Sequence, residues 1–154
     1  MSSAQESNSE TRKETARPIT PCAANRILIV DDETMIRDLF RRLLSLRLPD
    51  CRIDVAINGA EAVEQFHAAH HGVIMMDLRM PVMDGQTAFL EIQKICRDEN
   101  IEMPAVVFCT GFEPPDTVRT LIAGNPAHCI LRKPVTDKIL VEALQPRLAA
   151  KKKP

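Results

Sequence analysis

Three short runs constrain this 154-residue chain more than anything else in it: RILIV (26–30), VIMM (73–76) and PAVVFC (104–109). Each has the length of a strand and no polar alternation, so each reads as a strand covered on both faces. Each is followed by a segment whose apolar residues recur at three- and four-residue steps, the mark of an amphipathic helix. After the first run come Met35, Ile36, Leu39, Phe40, Leu43 and Leu44; after the second come Ala88, Phe89, Ile92 and Ile95; after the third come Val118, Leu121 and Ile122, with Gly124 as the stop. Two weaker units complete the pattern. CRIDVAI (51–57) alternates Cys51, Ile53, Val55 and Ile57 against Arg52 and Asp54, which suits an edge strand, and GAEAVEQFHAAHH follows as a helix with Ala62, Val63, Phe66 and Ala69 inward. HCIL (128–131) is a fifth strand, and a last helix enters through Thr136 or Asp137 and ends near Pro146. Five strands alternating with five helices, β first, give an α/β fold: a doubly wound (βα)5 three-layer sandwich around a five-stranded parallel sheet.

Residues 26–148 hold this pattern. Residues 1–25 contain no Val, Leu or Phe and are expected to form a disordered extension, and residues 149–154 a flexible basic tail. Hydrophobic residues make up 45% of the chain, enough for a real core, so disorder throughout is excluded. A formal net charge of -1 gives no reason to expect nucleic acid or an anionic membrane as a partner. With no Trp, no Tyr and five Phe there is little from which to build a base-stacking platform. No stretch is long enough to span a bilayer, and the N-terminus has no secretory apolar core. The five cysteines (22, 51, 96, 109 and 129) form no C-x-x-C pair and read as reduced thiols acting as small hydrophobes in a cytoplasmic protein.

In an open parallel sheet, ligands bind beyond the carboxyl ends of the strands. Strand one is followed there by Asp31, Asp32 and Glu33, strand three by Asp77, strand four by Thr110 and Gly111, and strand five by Arg132, Lys133 and Pro134. Clustered carboxylates repel one another and invite a hard dication, for which Mg²⁺ with its oxygen ligands fits. A carboxylate oxygen can attack phosphorus to give an acyl phosphate, and phosphoryl transfer then needs charge neutralisation and positioning. Lys133 supplies an ammonium for this, Thr110 a hydrogen-bond donor, and Gly111 space.

The motifs ILIVDDE, MMDLRMPVMDG, VVFCTG and LRKP together resemble the receiver (phosphoacceptor) domain of two-component response regulators, over about residues 25–148. The resemblance implies the flavodoxin-like strand order 2-1-3-4-5. It makes Asp77 the phosphoacceptor, Asp31, Asp32 and Asp77 the Mg²⁺ ligands with the Arg79 backbone carbonyl, and Thr110 and Lys133 the switch hydroxyl and phosphate-binding lysine. Pro134 stands for a proline that is often cis in the family. A sensor histidine kinase or a histidine phosphotransfer protein is implied as donor, and the surface of helix 4, strand 5 and helix 5 as the face that signals to a downstream protein. This sequence departs from the family where an aromatic residue commonly couples the switch: Ile130 stands there, and His128 could substitute only in another register. Arg79 and Phe112 flank the position of the attacking water, and as bulky side chains they are expected to slow hydrolysis.

Plainer readings accompany these. Asp84 caps the helix opening at Gln86, the methionines Met75, Met76, Met80 and Met83 pack, and His67 and His71 form a histidine cluster at the end of one helix. With no output domain after residue 148, the chain is expected to be a stand-alone switch acting through another protein, or a relay intermediate. A haloacid-dehalogenase-type phosphatase would need D-x-D after the first strand, and DDET lacks it. A docking module with a silent site is opposed by the complete acidic set. The resemblance implies a protein that catalyses only its own phosphorylation and dephosphorylation.

Overall fold

The computed structural model describes residues 18–152. The elements are β1 (Ala23–Val30), α1 (Thr34–Arg47), β2 (Arg52–Ala56), α2 (Gly59–Ala69), β3 (His71–Asp77), α3 (Gly85–Glu99), β4 (Ala105–Thr110), α4 (Asp116–Ala123), β5 (Cys129–Arg132) and α5 (Asp137–Lys151). The strands form one sheet in the order β2-β1-β3-β4-β5, and every pairing is parallel.

Strand periodicity divides the apolar runs between two cores. Leu28, Val30, Ile74, Met76, Val106 and Phe108 face Ala62 and Phe66 of α2, Ala88, Phe89 and Ile92 of α3, and Val118 of α4. Ile27, Ile29, Val73, Met75, Val107 and Cys109 face Phe40 and Leu44 of α1 and Leu140, Leu144 and Leu148 of α5. Every residue of β3 and β4 is buried, which is why those runs carry no polar alternation. On α1 the apolar stripe is wider than the face it buries: Met35 and Leu39 are exposed.

Four expectations need correction. The N-terminal extension does not stay outside the fold up to residue 25, because β1 begins at Ala23 and Thr20 bridges Ile101. Thr20 N–H donates to the Asn100 carbonyl and Glu102 N–H to the Thr20 carbonyl. Cys22 is buried, and its N–H donates to Glu102 Oε1 at 2.9 Å. Residues 1–17 lie outside the described residues. The last helix does not stop near Pro146. It continues to Lys151, because Leu148 is buried in the core and Lys151 Nζ donates to Glu102 Oε2 (3.0 Å) and the Met103 carbonyl (2.6 Å). The tail expected to be flexible from residue 149 is therefore helical as far as Lys151, and residues 153–154 lie outside the described residues.

His71 is not on a helix with His67. His70 caps α2 in the left-handed conformation (φ 53°), and the chain turns so that His71 opens β3, fully buried. Its Nε2 pairs with Asp54 Oδ2 at 2.7 Å, while Arg26 donates to the same oxygen at 2.8 Å. Burial works against the Asp54 charge, but these two partners outweigh it and hold the carboxyl below its usual range. His67 instead pairs with Glu99 at 2.8 Å. Finally, β2 is shorter than 51–57: Cys51 precedes it and Ile57 follows it, exposed.

Candidate functional site

Parallel strands all end on one side, and their ends carry the polar residues together. In the sheet register Val30 lies beside Met76, Asp77 beside Cys109, and Thr110 beside Arg132. One residue past β1 is Asp31, one past β5 is Lys133, and Asp77 and Thr110 close β3 and β4. Ligand oxygens of Asp31, Asp32 and Asp77 lie within 4.8 Å of one another, with Asp32 exposed and the other two buried. No other group of three such residues is drawn together among the described residues.

Lys133 spans the acids. Its Nζ donates to Asp31 Oδ2 at 2.6 Å and to Asp77 Oδ2 at 3.4 Å. Burial opposes its charge, but the Asp31 hydrogen bond and the two carboxylates leave the ammonium above its usual range. Asp77 is pushed upward by burial, with Lys133 pulling it down and Asp31 reinforcing the rise. The other Asp31 oxygen, Oδ1, accepts the Glu33 N–H at 2.9 Å, which aims the side chain across the rim. The lysine is carried in by the chain after β5: its N–H donates to the Thr110 carbonyl at 2.8 Å, and the Lys133–Pro134 bond is cis. Thr110 Oγ1 accepts the Phe112 N–H at 3.1 Å. A Cβ on Gly111 would meet nothing within 4 Å, so the space beside Thr110 is open.

The loop after β3 is fixed by two close approaches. A Cβ on Gly85 would lie 2.2 Å from the Asp77 carbonyl oxygen, and one on Gly59 would lie 2.5 Å from that of Met83. Gly85 N–H donates to the Leu78 carbonyl and Gly59 N–H to the Met83 carbonyl. Between them Met83 N–H bonds back to the Pro81 carbonyl around Val82, which has φ 69°. Such a conformation is costly for a β-branched residue. Asp84 then caps α3 by accepting the Thr87 N–H at 2.7 Å.

Arg79 N–H points at Asp77 Oδ1 from 3.4 Å, and its guanidinium stacks on Phe112 with Cζ 4.1 Å from the ring centre. The two bulky residues flanking the site are thus joined into a bridge between the β3–α3 and β4–α4 loops. Ile130 pairs with Phe108 and is half-buried against the α2–α4 side of the core. His128 cannot replace it. It sits at the opposite end of β5, with Nδ1 accepting the Val106 N–H at 3.0 Å.

The family model described as the response regulator receiver domain matches residues 27–145. The chain belongs to that family. The receiver is 28% identical to the chemotaxis protein CheY of Halobacterium salinarum over 127 residues, covering 82% of this chain and 99% of that one. Over 76 residues it is 46% identical to a protein-glutamate methylesterase/protein-glutamine glutaminase of Aliivibrio fischeri, but it spans only 19% of that protein's length. A crystal structure of a receiver domain protein from Clostridium thermocellum superposes with a TM-score of 0.69 at 27% identity, over 82% of this chain and 96% of that one. The fold expected from sequence is the receiver's own.

Two groupings escaped sequence reading. The Arg26–Asp54–His71 network crosses β1 at the point where its pairing with β3 shifts register. Glu113, in the β4–α4 loop, is held by Arg119 and by Arg132 (2.6 Å). Neither has a linear motif.

Proposed function

We propose that this receiver is a phosphorylation-activated signalling switch of a His-to-Asp phosphorelay. The observation that carries it is the set of three carboxylates within 4.8 Å, with Lys133 reaching two of them and Thr110 beside them. An Asp77 oxygen attacks the phosphorus of a phosphohistidine on a sensor kinase or phosphotransfer protein. The oxygen–phosphorus bond forms as the bond to the imidazole nitrogen breaks, and the imidazole keeps the electron pair. Asp31, Asp32 and Asp77 suit Mg²⁺, with the Arg79 carbonyl as a further ligand. When bound, the ion neutralises charge on the transferring oxygens.

Lys133 Nζ, already within hydrogen-bond reach of Asp77, takes a phosphoryl oxygen. Thr110 Oγ1 accepts the Phe112 N–H, which leaves its own proton free to donate to the phosphoryl. Drawing Thr110 inward moves the loop through Phe112 and the strand edge behind it, and the face of α4, β5 and α5 changes its fit to a downstream protein. With Ile130 in place of an aromatic residue, that coupling runs through aliphatic repacking. Catalysis is confined to the chain's own phosphorylation and dephosphorylation. No helix among the described residues is long and apolar enough to cross a membrane.

Incubation with Mg²⁺ and a small acyl phosphate, followed by intact-mass measurement, tests the assignment. One phosphoryl adduct is expected on the parent and none on Asp77→Asn. An unmodified parent, or an equal adduct on Asp77→Asn, refutes it.

A further inference from the structure

Glu113 receives a guanidinium on each carboxylate oxygen. Arg119 of α4 donates to Oε1, and Arg132 at the end of β5 donates to Oε2 at 2.6 Å. The three residues come from a loop, a helix and a strand, and all three are well exposed: 70% for Glu113, 51% for Arg119 and 55% for Arg132. Neither arginine has another side-chain partner recorded among the described residues. The two guanidinia hold the Glu113 carboxyl below its usual range.

We propose that Arg119 and Arg132 form a carboxylate-binding subsite for an acidic segment of a partner protein, and that Glu113 masks it in cis. The charge complementarity is already demonstrated by the occupant: the two arginines accept a carboxylate at their midpoint, one hydrogen bond to each oxygen. Exposed ion pairs are individually weak, so a partner that brings several acidic side chains can displace the single Glu113 carboxylate despite its advantage of being held in cis. Glu113 follows Phe112 directly, and Phe112 is tied to Thr110 through its N–H and to Arg79 through its ring. Any inward pull on Thr110 therefore shifts Glu113 relative to Arg119 and Arg132, which sit on α4 and β5 rather than on the loop. The mask stands on the observed geometry alone; its release by phosphorylation rests on the switch reading of Asp77.

The test is a fluorescence-anisotropy titration of the full chain with a labelled peptide of alternating Glu and Ala, and with its Gln–Ala counterpart. Glu113→Gln is expected to bind the acidic peptide roughly threefold to tenfold more tightly than the parent. The gain should vanish in Glu113→Gln/Arg119→Gln/Arg132→Gln and for the Gln–Ala peptide. A Glu113→Gln variant that binds no more tightly, or a gain that survives loss of both arginines, overturns the mask. Phosphorylated parent should match Glu113→Gln, and phosphorylating Glu113→Gln should add nothing. A parent that carries the adduct by mass yet binds no more tightly overturns the gating. A parent that takes no adduct refutes the reading of Asp77 instead, and the comparison with Glu113→Gln still decides the mask.

Discussion

Acid should weaken this fold in part through His128. His128 is buried between α3 and β4: its ring stands edge-on to Phe89 at 5.1 Å and its Nδ1 accepts the Val106 N–H. That bond supplies the β4 backbone with an acceptor just before β5 begins, and it requires the neutral ring. Burial, with Lys151 and Arg147 nearby, lowers its pKa from 6.5 to about 4. Between those values the unfolded chain binds a proton that the folded chain refuses, so stability falls as pH drops through this window. The loss is about 2 kcal/mol at pH 5 relative to pH 7, and it levels off near about 3 kcal/mol below pH 4. Urea unfolding of the parent and of His128→Asn at pH 7 and pH 5 measures it. Asparagine offers an oxygen to the Val106 N–H but does not titrate. The variant should therefore lose about 2 kcal/mol less than the parent between the two pH values, whatever its stability at pH 7. Equal losses in the two proteins would refute the reasoning.

Gly85→Ala should destabilise by about 1–3 kcal/mol or more, because its Cβ would strike the Asp77 carbonyl oxygen, and thermal unfolding would register it. Val82→Gly should raise stability by roughly 0.5 kcal/mol: relief of a left-handed β-branched residue is worth about 1–2 kcal/mol, and the added freedom of the unfolded chain takes back about 0.5–1. An unchanged or lower unfolding midpoint would count against strain at that turn. Removing the Arg79–Phe112 stack with the double Ala variant should shorten the Asp77 phosphoryl half-life, followed by mass after the donor is removed. A half-life that stays the same would leave the stack no role in shielding the site.

Most of the sheet was legible because its signal is burial. The runs VIMM and AVVFC inside β3 and β4 are covered on both sides, so they are apolar without interruption, and the residue after each run, which closes its strand, had to be at the rim. Asp77 and Thr110 could be found in this way, as could Asp31 and Lys133. What stayed hidden is held by backbone or by isolated pairs. Thr20 joins the fold through main-chain hydrogen bonds that any residue could make, so nothing in its side chain announces it. The run HAAHHG suits a helix end or a strand start equally, and the left-handed turn at His70 decides it. Pro146 reads as a stop because it costs one helical hydrogen bond, yet Leu148 and the Lys151 ties outweigh that cost. The hold on Glu113 depends on two arginines 6 and 19 residues away, a spacing with no periodicity to expose it.

The knot around Glu102 sets where this protein tolerates a cut. Its two oxygens take the Cys22 N–H and the Lys151 ammonium, so one side chain laces the segment just before β1 to α5. Burial opposes its charge, and these bonds hold its carboxyl below the usual range. Trimming to Arg26, where hydropathy invites the boundary, would leave that carboxylate with one partner and uncover Cys96 and Ile101 beneath. All of this lies at the opposite pole of the sheet from Asp77. A trimmed receiver would thus keep every residue of the proposed phosphorylation site and still be a weaker fold, so a sluggish truncated protein would say nothing about the site itself.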